Sequence, residues 1–189
     1  MIRSFEAQMT PQLEELVTQY DAAAREARTL VESLTREQLG RRPAPGRWSA
    51  ADNLVHLSLT SQQWMPRLAD AISGARRQGV VGDGPYRMDL VGRLLKWVLE
   101  PPSRVRVSTR AGFEPAGDAP VEQALPDFLR LQDRLLEHIR ESSGLALDRV
   151  QVVSPFESRL RYNLYSSFHI IIAHQRRHFW QARKAAAVS

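Results

Sequence analysis

Five histidines carry most of the chemical potential of this 189-residue chain: His56, His138, His169, His174 and His178. His174 and His178, in the run Ala173-His174-Gln175-Arg176-Arg177-His178, are four residues apart. On a helix that spacing sends both imidazoles off one face, a turn apart. Steps of three and four from the pair reach Ser167, Ile170, Ile171, Gln181 and Ala182. These are mostly apolar or small, so the pair faces inward. Burying an unpaired polar group costs on the order of 1–3 kcal/mol. A divalent metal satisfies both rings at once, and a helical His pair at this spacing is one half of many zinc sites. The competing reading is a chance pair of hydrogen-bonded core histidines.

A third ligand must come from another helix, and His56 is the candidate. It sits two turns into a helix whose apolar stripe includes Val55 and Leu59. Asp52, one turn earlier on the same face, is placed to orient the His56 imidazole. Gln181, one turn beyond His178, could contact a ligand. His169 lies five residues before His174, about 140° around the helix, and faces a different neighbour. His138 falls at the edge of its own helix's stripe, where a hydrogen-bonded boundary residue is the usual outcome.

Composition narrows the alternatives. The chain has no cysteine, so disulfides, cysteine-zinc sites, iron–sulfur clusters and cysteine nucleophiles are excluded, and histidine and carboxylate must hold any metal. The net charge is +5, and all but Lys96 and Lys184 of the 26 basic residues are arginine. They are scattered, with no run longer than two and no interleaved aromatics. That pattern makes a solvated surface rather than a nucleic-acid groove. No apolar run approaches the roughly 20 residues of a membrane helix, and no secretion signal opens the chain. The expectation is a cytoplasmic protein with no nucleic-acid or membrane partner. There is no phosphate loop, no dinucleotide fingerprint and no Gly-x-Ser-x-Gly elbow. Trp48, Trp64, Trp97 and Trp180 read as packing.

Helical periodicity supplies the elements that must position the histidines. Thr10-Pro11 caps a first helix of about 24 residues, with Leu13, Leu16, Tyr20, Ala27 and Val31 on one stripe. Thr35 to Gly40 reads as a short turn into the loop Arg41 to Arg47. Ser49 and Asp52 form a capping box that opens a second helix, ending near Gly74 to Gly79. Pro66 removes a bond to the Gln62 carbonyl, which predicts a kink. Residues 79–120 read as an irregular insertion with a short helix from Leu90 to Leu99 and an extended piece at 104–108. A third long helix runs from about Pro120 to Ser142. After a connection over 145–161, a fourth runs from about Tyr162 to Ala186. Four long helices and no sheet predict an all-α four-helix bundle in a single domain, 1–189. Phe168, Ile172 and Phe179 lie off the histidine face of the last helix. They require cover from the insertion or from a second subunit, and a homodimer is the expectation.

Two segments resemble a known family. Gly46-Arg47-Trp48-Ser49-Ala50-Ala51-Asp52-Asn53-Leu54-Val55-His56-Leu57 resembles the loop and helix start of DinB-like proteins, where Trp-Ser is followed by an apolar pair and a histidine. His174 to Ala182 resembles the same family's last helix, where His-x-x-x-His is followed by Gln three residues on, and Pro155-Phe156 fits its lead-in. This is the damage-inducible, metal-dependent superfamily, not the DNA polymerase of similar name. The resemblance implies an up-down-down-up bundle, often a homodimer, with a three-histidine site for zinc or nickel. Matched residue by residue, His56, His174 and His178 are the ligands. Some relatives are thiol S-transferases that use mycothiol or bacillithiol, others carry only an inferred hydrolase assignment, and many have no known reaction. Residues 79–120 match no motif of the family.

Three neutral imidazoles leave the metal's charge uncompensated and a coordination position open. A low-molecular-weight thiol bound there would be held as thiolate, and a water would have its pKa drawn toward about 7. The first expectation is an enzyme that transfers such a thiol to an electrophilic small-molecule substrate. The alternatives are a metal-hydroxide hydrolase and a non-catalytic metal- or ligand-binding module of stress response. No general base is evident in the sequence.

Overall fold

The computed structural model describes residues 9–102, 112–115 and 121–187. In chain order the elements are α1 (Pro11–Glu32), α2 (Arg36–Gly40), α3 (Ala50–Arg77), α4 (Leu90–Leu99), α5 (Val121–Glu141), β1 (Gln151–Val153), β2 (Arg161–Asn163) and α6 (Leu164–Ala186). The chain is mostly helical, as its periodicity predicts. Residues 104–108, expected to be extended, lie outside the described residues.

Side-chain caps fix where the helices begin. The Thr10 hydroxyl accepts from the Leu13 amide at the start of α1, with Pro11 in the first turn. Ser49 and Asp52 form the expected capping box: the Ser49 hydroxyl accepts from the Asp52 amide at 3.0 Å and the Asp52 carboxylate accepts from the Ser49 amide at 2.9 Å. From that box α3 runs through Pro66 to Arg77. The segment read as a turn at Thr35 to Gly40 is instead a five-residue helix. Its cause is a second capping box, in which Thr35 and Gln38 bond reciprocally, and its buried Leu39 ties it to the core.

A small sheet corrects the expectation of none. β1 and β2 pair antiparallel, with Val152 opposite Tyr162, and both of these side chains are buried. The last helix therefore begins at Leu164, because 161–163 are strand and Asn163 caps α6 by accepting from the Ser166 amide at 2.8 Å.

Both α1 and α3 pack against α5 and α6. Leu13, Leu16, Tyr20, Leu68, Phe128, Leu135, Phe168 and Phe179 are all fully or almost fully buried between them. The rings of Phe128 and Phe179 meet edge to face at 5.6 Å. Polar bonds set the register of α1 and α5 on α6. The Tyr20 hydroxyl donates to the Phe168 carbonyl at 2.8 Å, and Gln132 and Gln175 exchange amide bonds at 2.7 and 3.3 Å. A buried amide pair of this kind tolerates only one alignment of its helices, because a slip orphans four polar groups.

The short helix of the insertion is where the sequence places it, and α4 lies along α6. Asp89 caps it, accepting from the Gly92 amide at 2.7 Å and also from the backbone amide of Asn163. The Asp89 amide donates to Ser166 Oγ at 3.1 Å. Phe168, Ile172 and Phe179, the side chains that needed cover, are fully buried within the chain itself. Gly92 permits the close approach: a Cβ there would sit 2.3 Å from Ser166 Cβ. Over-packing of this kind typically costs about 1–3 kcal/mol. Gly92→Ala is therefore expected to lower unfolding stability by about 2 kcal/mol in a urea titration, whereas a change within 0.5 kcal/mol, the ordinary surface range, would contradict this packing.

Candidate metal centre

His56 reaches inward from the second turn of α3, and His174 and His178 reach back from α6. The α3–α6 contact brings the three rings together, with centroids 4.4 Å apart for His56–His178, 4.5 Å for His174–His178 and 5.2 Å for His56–His174. One ring nitrogen from each lies within 4.8 Å of the other two, a cluster compatible with a divalent metal site. Among the described residues it is the one group of three or more histidine or carboxylate side chains close enough to hold an ion. His56 and His178 are buried, and His174 is half-buried. The Trp48 ring lies over the cluster, 4.7 Å from His56 and 5.8 Å from His178.

Hydrogen bonds behind the rings decide what the front nitrogens can do. His56 Nδ1 is 2.7 Å from the Phe113 carbonyl, which can only accept, so Nδ1 carries the proton and Nε2 is a bare lone pair. His178 Nδ1 is 2.8 Å from Asn53 Oδ1. The Asn53 amide is itself oriented, since its Nδ2 donates to the Ser49 carbonyl at 2.8 Å. His178 Nε2 is thus a lone pair as well. In front, His56 Nε2 and His174 Nε2 stand 3.3 Å apart. Two nitrogens bound at 2.0–2.1 Å to a tetrahedral zinc are separated by about 3.4 Å. The His56–His174 distance and the tautomers of His56 and His178 are therefore compatible with a divalent cation.

Protonation agrees. Burial, the His56 charge and Arg177 push His174 down to about 3. His178 is held well below the usual imidazole value by burial and by its two neighbours. Burial also lowers His56, against the raising effect of the Phe113 carbonyl. All three are neutral at neutral pH, the state that coordination requires.

Asp52 does not fill the role the sequence suggested. Its carboxylate accepts two bonds from Arg42, at 2.8 and 3.1 Å, and one from the Ser49 amide. Burial pushes the carboxyl up, but these bonds outweigh it and hold its pKa below the ordinary value. The orienting partner of His56 is the Phe113 carbonyl instead, supplied by the insertion. Gln181 is half-buried on α6, three residues after His178. His169 stands apart from the cluster, edge-on to Tyr165 at 4.6 Å, and burial, Lys96 and Arg176 push it down to about 4. His138 is buried and bonds Glu141 at 2.9 Å, as a boundary residue should. Three contributors went unread in the sequence. Asn53 carried a signal, because it lies three residues before His56 and shares its face. Trp48 sits outside any helical period, and Phe113 acts through its backbone, which no residue type announces.

A sequence model of the DinB superfamily matches residues 19–182, a span that contains every residue of the cluster. The chain belongs to the DinB superfamily. No curated protein and no solved structure matches it. Among the described residues of this DinB chain, no helix is long and apolar enough to cross a membrane.

Neutral buried histidines set a sign for the pH dependence of the metal-free DinB chain. Unfolded histidine takes up a proton near pH 6.5, whereas His174 and His169 resist it down to about 3 and about 4. Between those values the unfolded state binds more protons, so stability is present above pH 6.5 and is lost as pH falls below it. Acidifying from pH 7 to 5 is expected to cost about 2 kcal/mol for each of these two histidines, on the order of 4 kcal/mol in all by chemical unfolding, with a smaller loss in His174→Gln. Equal acid sensitivity in the two proteins would contradict the buried neutral assignment.

Proposed function

We propose that this DinB chain is a metal-dependent enzyme in which His56, His174 and His178 hold zinc or nickel, and that it transfers a low-molecular-weight thiol to an electrophilic small molecule. The observation that carries the reading is the 3.3 Å approach of His56 Nε2 and His174 Nε2, the first of them a fixed lone pair, with a second fixed lone pair on His178 close by. A divalent cation in that position supplies Lewis acidity and holds a thiol sulfur as thiolate. The remaining work falls to the chain. The three imidazoles bring no negative charge, and Arg177 adds a positive field at His174 and His178. Such a site favours an anionic partner over a neutral one. Trp48 gives the ligand an aromatic wall beside His56 and His178. In the transfer, the sulfur's electron pair forms the new S–C bond and the leaving group departs with the pair from the broken bond. Gln181 is placed to contact the bound molecule beyond His178.

Several coarser features complete the proposal. The chain folds as one unit over 1–189, its four long helices run up-down-down-up, and it works in the cytoplasm without nucleic-acid or membrane partners. It acts as a homodimer. The apolar surface available for pairing is on α4, where Leu90 and Leu94 are 79% and 59% exposed. Sedimentation at micromolar concentration is expected to give twice the chain mass, falling to the monomer in Leu94→Glu; a monomeric parent would contradict the dimer.

The catalytic reading is tested with metal and thiol together. Purified parent is expected to hold one divalent ion per chain and to conjugate mycothiol or bacillithiol to an aryl halide. His174→Ala is expected to lose the ion and at least about 100-fold of the turnover, a loss of nearly 3 kcal/mol of transition-state stabilisation. Equal metal in parent and variant would refute the ligand set, and ester hydrolysis by the parent without added thiol would favour a hydrolase.

A further inference from the structure

Asn53 is 2% exposed and lies on α3 one turn before His56, yet its side chain serves the opposite helix. Its Nδ2 donates to the Ser49 carbonyl at 2.8 Å, and its Oδ1 lies 2.8 Å from His178 Nδ1. The carbonyl is the fixed point of this chain of bonds. A carbonyl oxygen only accepts, so the amide nitrogen must face it and the amide oxygen must face the ring. An amide oxygen likewise only accepts, so the ring must donate from Nδ1. We infer that Asn53 is a positioning residue: it holds His178 as the Nδ1–H tautomer and so presents Nε2 to the cluster as a lone pair.

Neutral imidazole carries one proton on either nitrogen, and only the bare nitrogen can bind a cation. Without Asn53, nothing described on the far side of His178 selects the productive form, and the Nε2–H form has a hydrogen where the lone pair belongs. His56 is set by the same logic through the Phe113 carbonyl. The two rings thus take their tautomers from different sources: one from the insertion's backbone, the other from a side chain of α3. The Asn53 amide can be removed by substitution, and the Phe113 carbonyl cannot. The Ser49 carbonyl also accepts from the Asn53 backbone amide at 3.2 Å, so it keeps a partner when the side chain is replaced.

This inference rests on the proposed metal centre for its purpose but not for its test. Long-range 1H–15N spectra of the metal-free parent read the His178 ring directly, and Nδ1 is expected to be protonated with Nε2 bare. Asn53→Leu keeps the side chain's approximate size without an acceptor, and Asn53→Asp keeps the acceptor. Asn53→Leu is expected to bind Zn2+ about 10–100-fold more weakly than the parent, the usual loss when a ligand's orienting partner is removed. Its His178 signals shift toward the Nε2–H form, and Asn53→Asp recovers most of both. A residue that merely fills space would move neither the tautomer nor the difference between the two variants. A His178 protonated on Nε2 in the parent overturns the inference, as does folded Asn53→Leu binding Zn2+ as tightly as the parent. If the parent binds no Zn2+, the metal reading fails, and the parent's tautomer still decides the role of Asn53. If Asn53→Leu does not fold, the parent spectrum and the Zn2+ affinity of Asn53→Asp decide it.

Discussion

Three imidazole rings meet inside a helical core, and two of them, His56 and His178, keep their protons on the outer nitrogen and turn a lone pair toward the cluster. The His56 Nε2 lone pair faces His174 Nε2 at 3.3 Å, and burial keeps the rings neutral. A cation between them would take up the lone pairs that face it. The arrangement exists because α3 and α6 are held in one register. A shift of one residue along either helix would swing its histidine by about 100° and leave no cluster.

The rest of the molecule holds that register. The Ser49–Asp52 capping box fixes where α3 starts and therefore the height at which His56 enters the core. The Gln132–Gln175 amide pair and the Tyr20–Phe168 bond fix α6 against α5 and α1, with Gln175 adjacent in sequence to His174. At the other end of α6, Asn163 caps the helix, donates to the Arg87 carbonyl at 2.8 Å and gives its amide to Asp89. The insertion is thereby anchored to the same helix that carries two of the three imidazoles. Through the Phe113 carbonyl it also orients the third, so the insertion takes part in the centre.

Much of this was legible in the sequence. The His174–His178 spacing and the inward stripe around it suffice to aim both rings at the core. The caps Thr10 and Ser49 mark helix starts that the structure reproduces, and Leu90 to Leu99 is the short helix expected. What escaped has specific causes. Strands of three residues are too short to show a period of two, so β1 and β2 left no pattern. Thr35 and Gln38 carried a readable capping box, but the prolines and glycine downstream obscured it. Asp52 was given two tasks, to close the capping box and to orient His56. Its carboxylate turns back to the helix start and to Arg42, and cannot also face the ring. The neighbouring amide, Asn53, serves the cluster instead, because one residue along α3 turns a side chain from the cap toward α6.

X-ray absorption at the metal edge of the loaded protein tests the centre most directly, because it counts the atoms around the ion. The account predicts one site with three imidazole nitrogens at about 2.0–2.1 Å and one or more lighter or sulfur neighbours that exchange when a thiol is added. Fewer than three imidazoles, or a carboxylate-rich shell unaffected by His56→Ala, would place the ion elsewhere and contradict it.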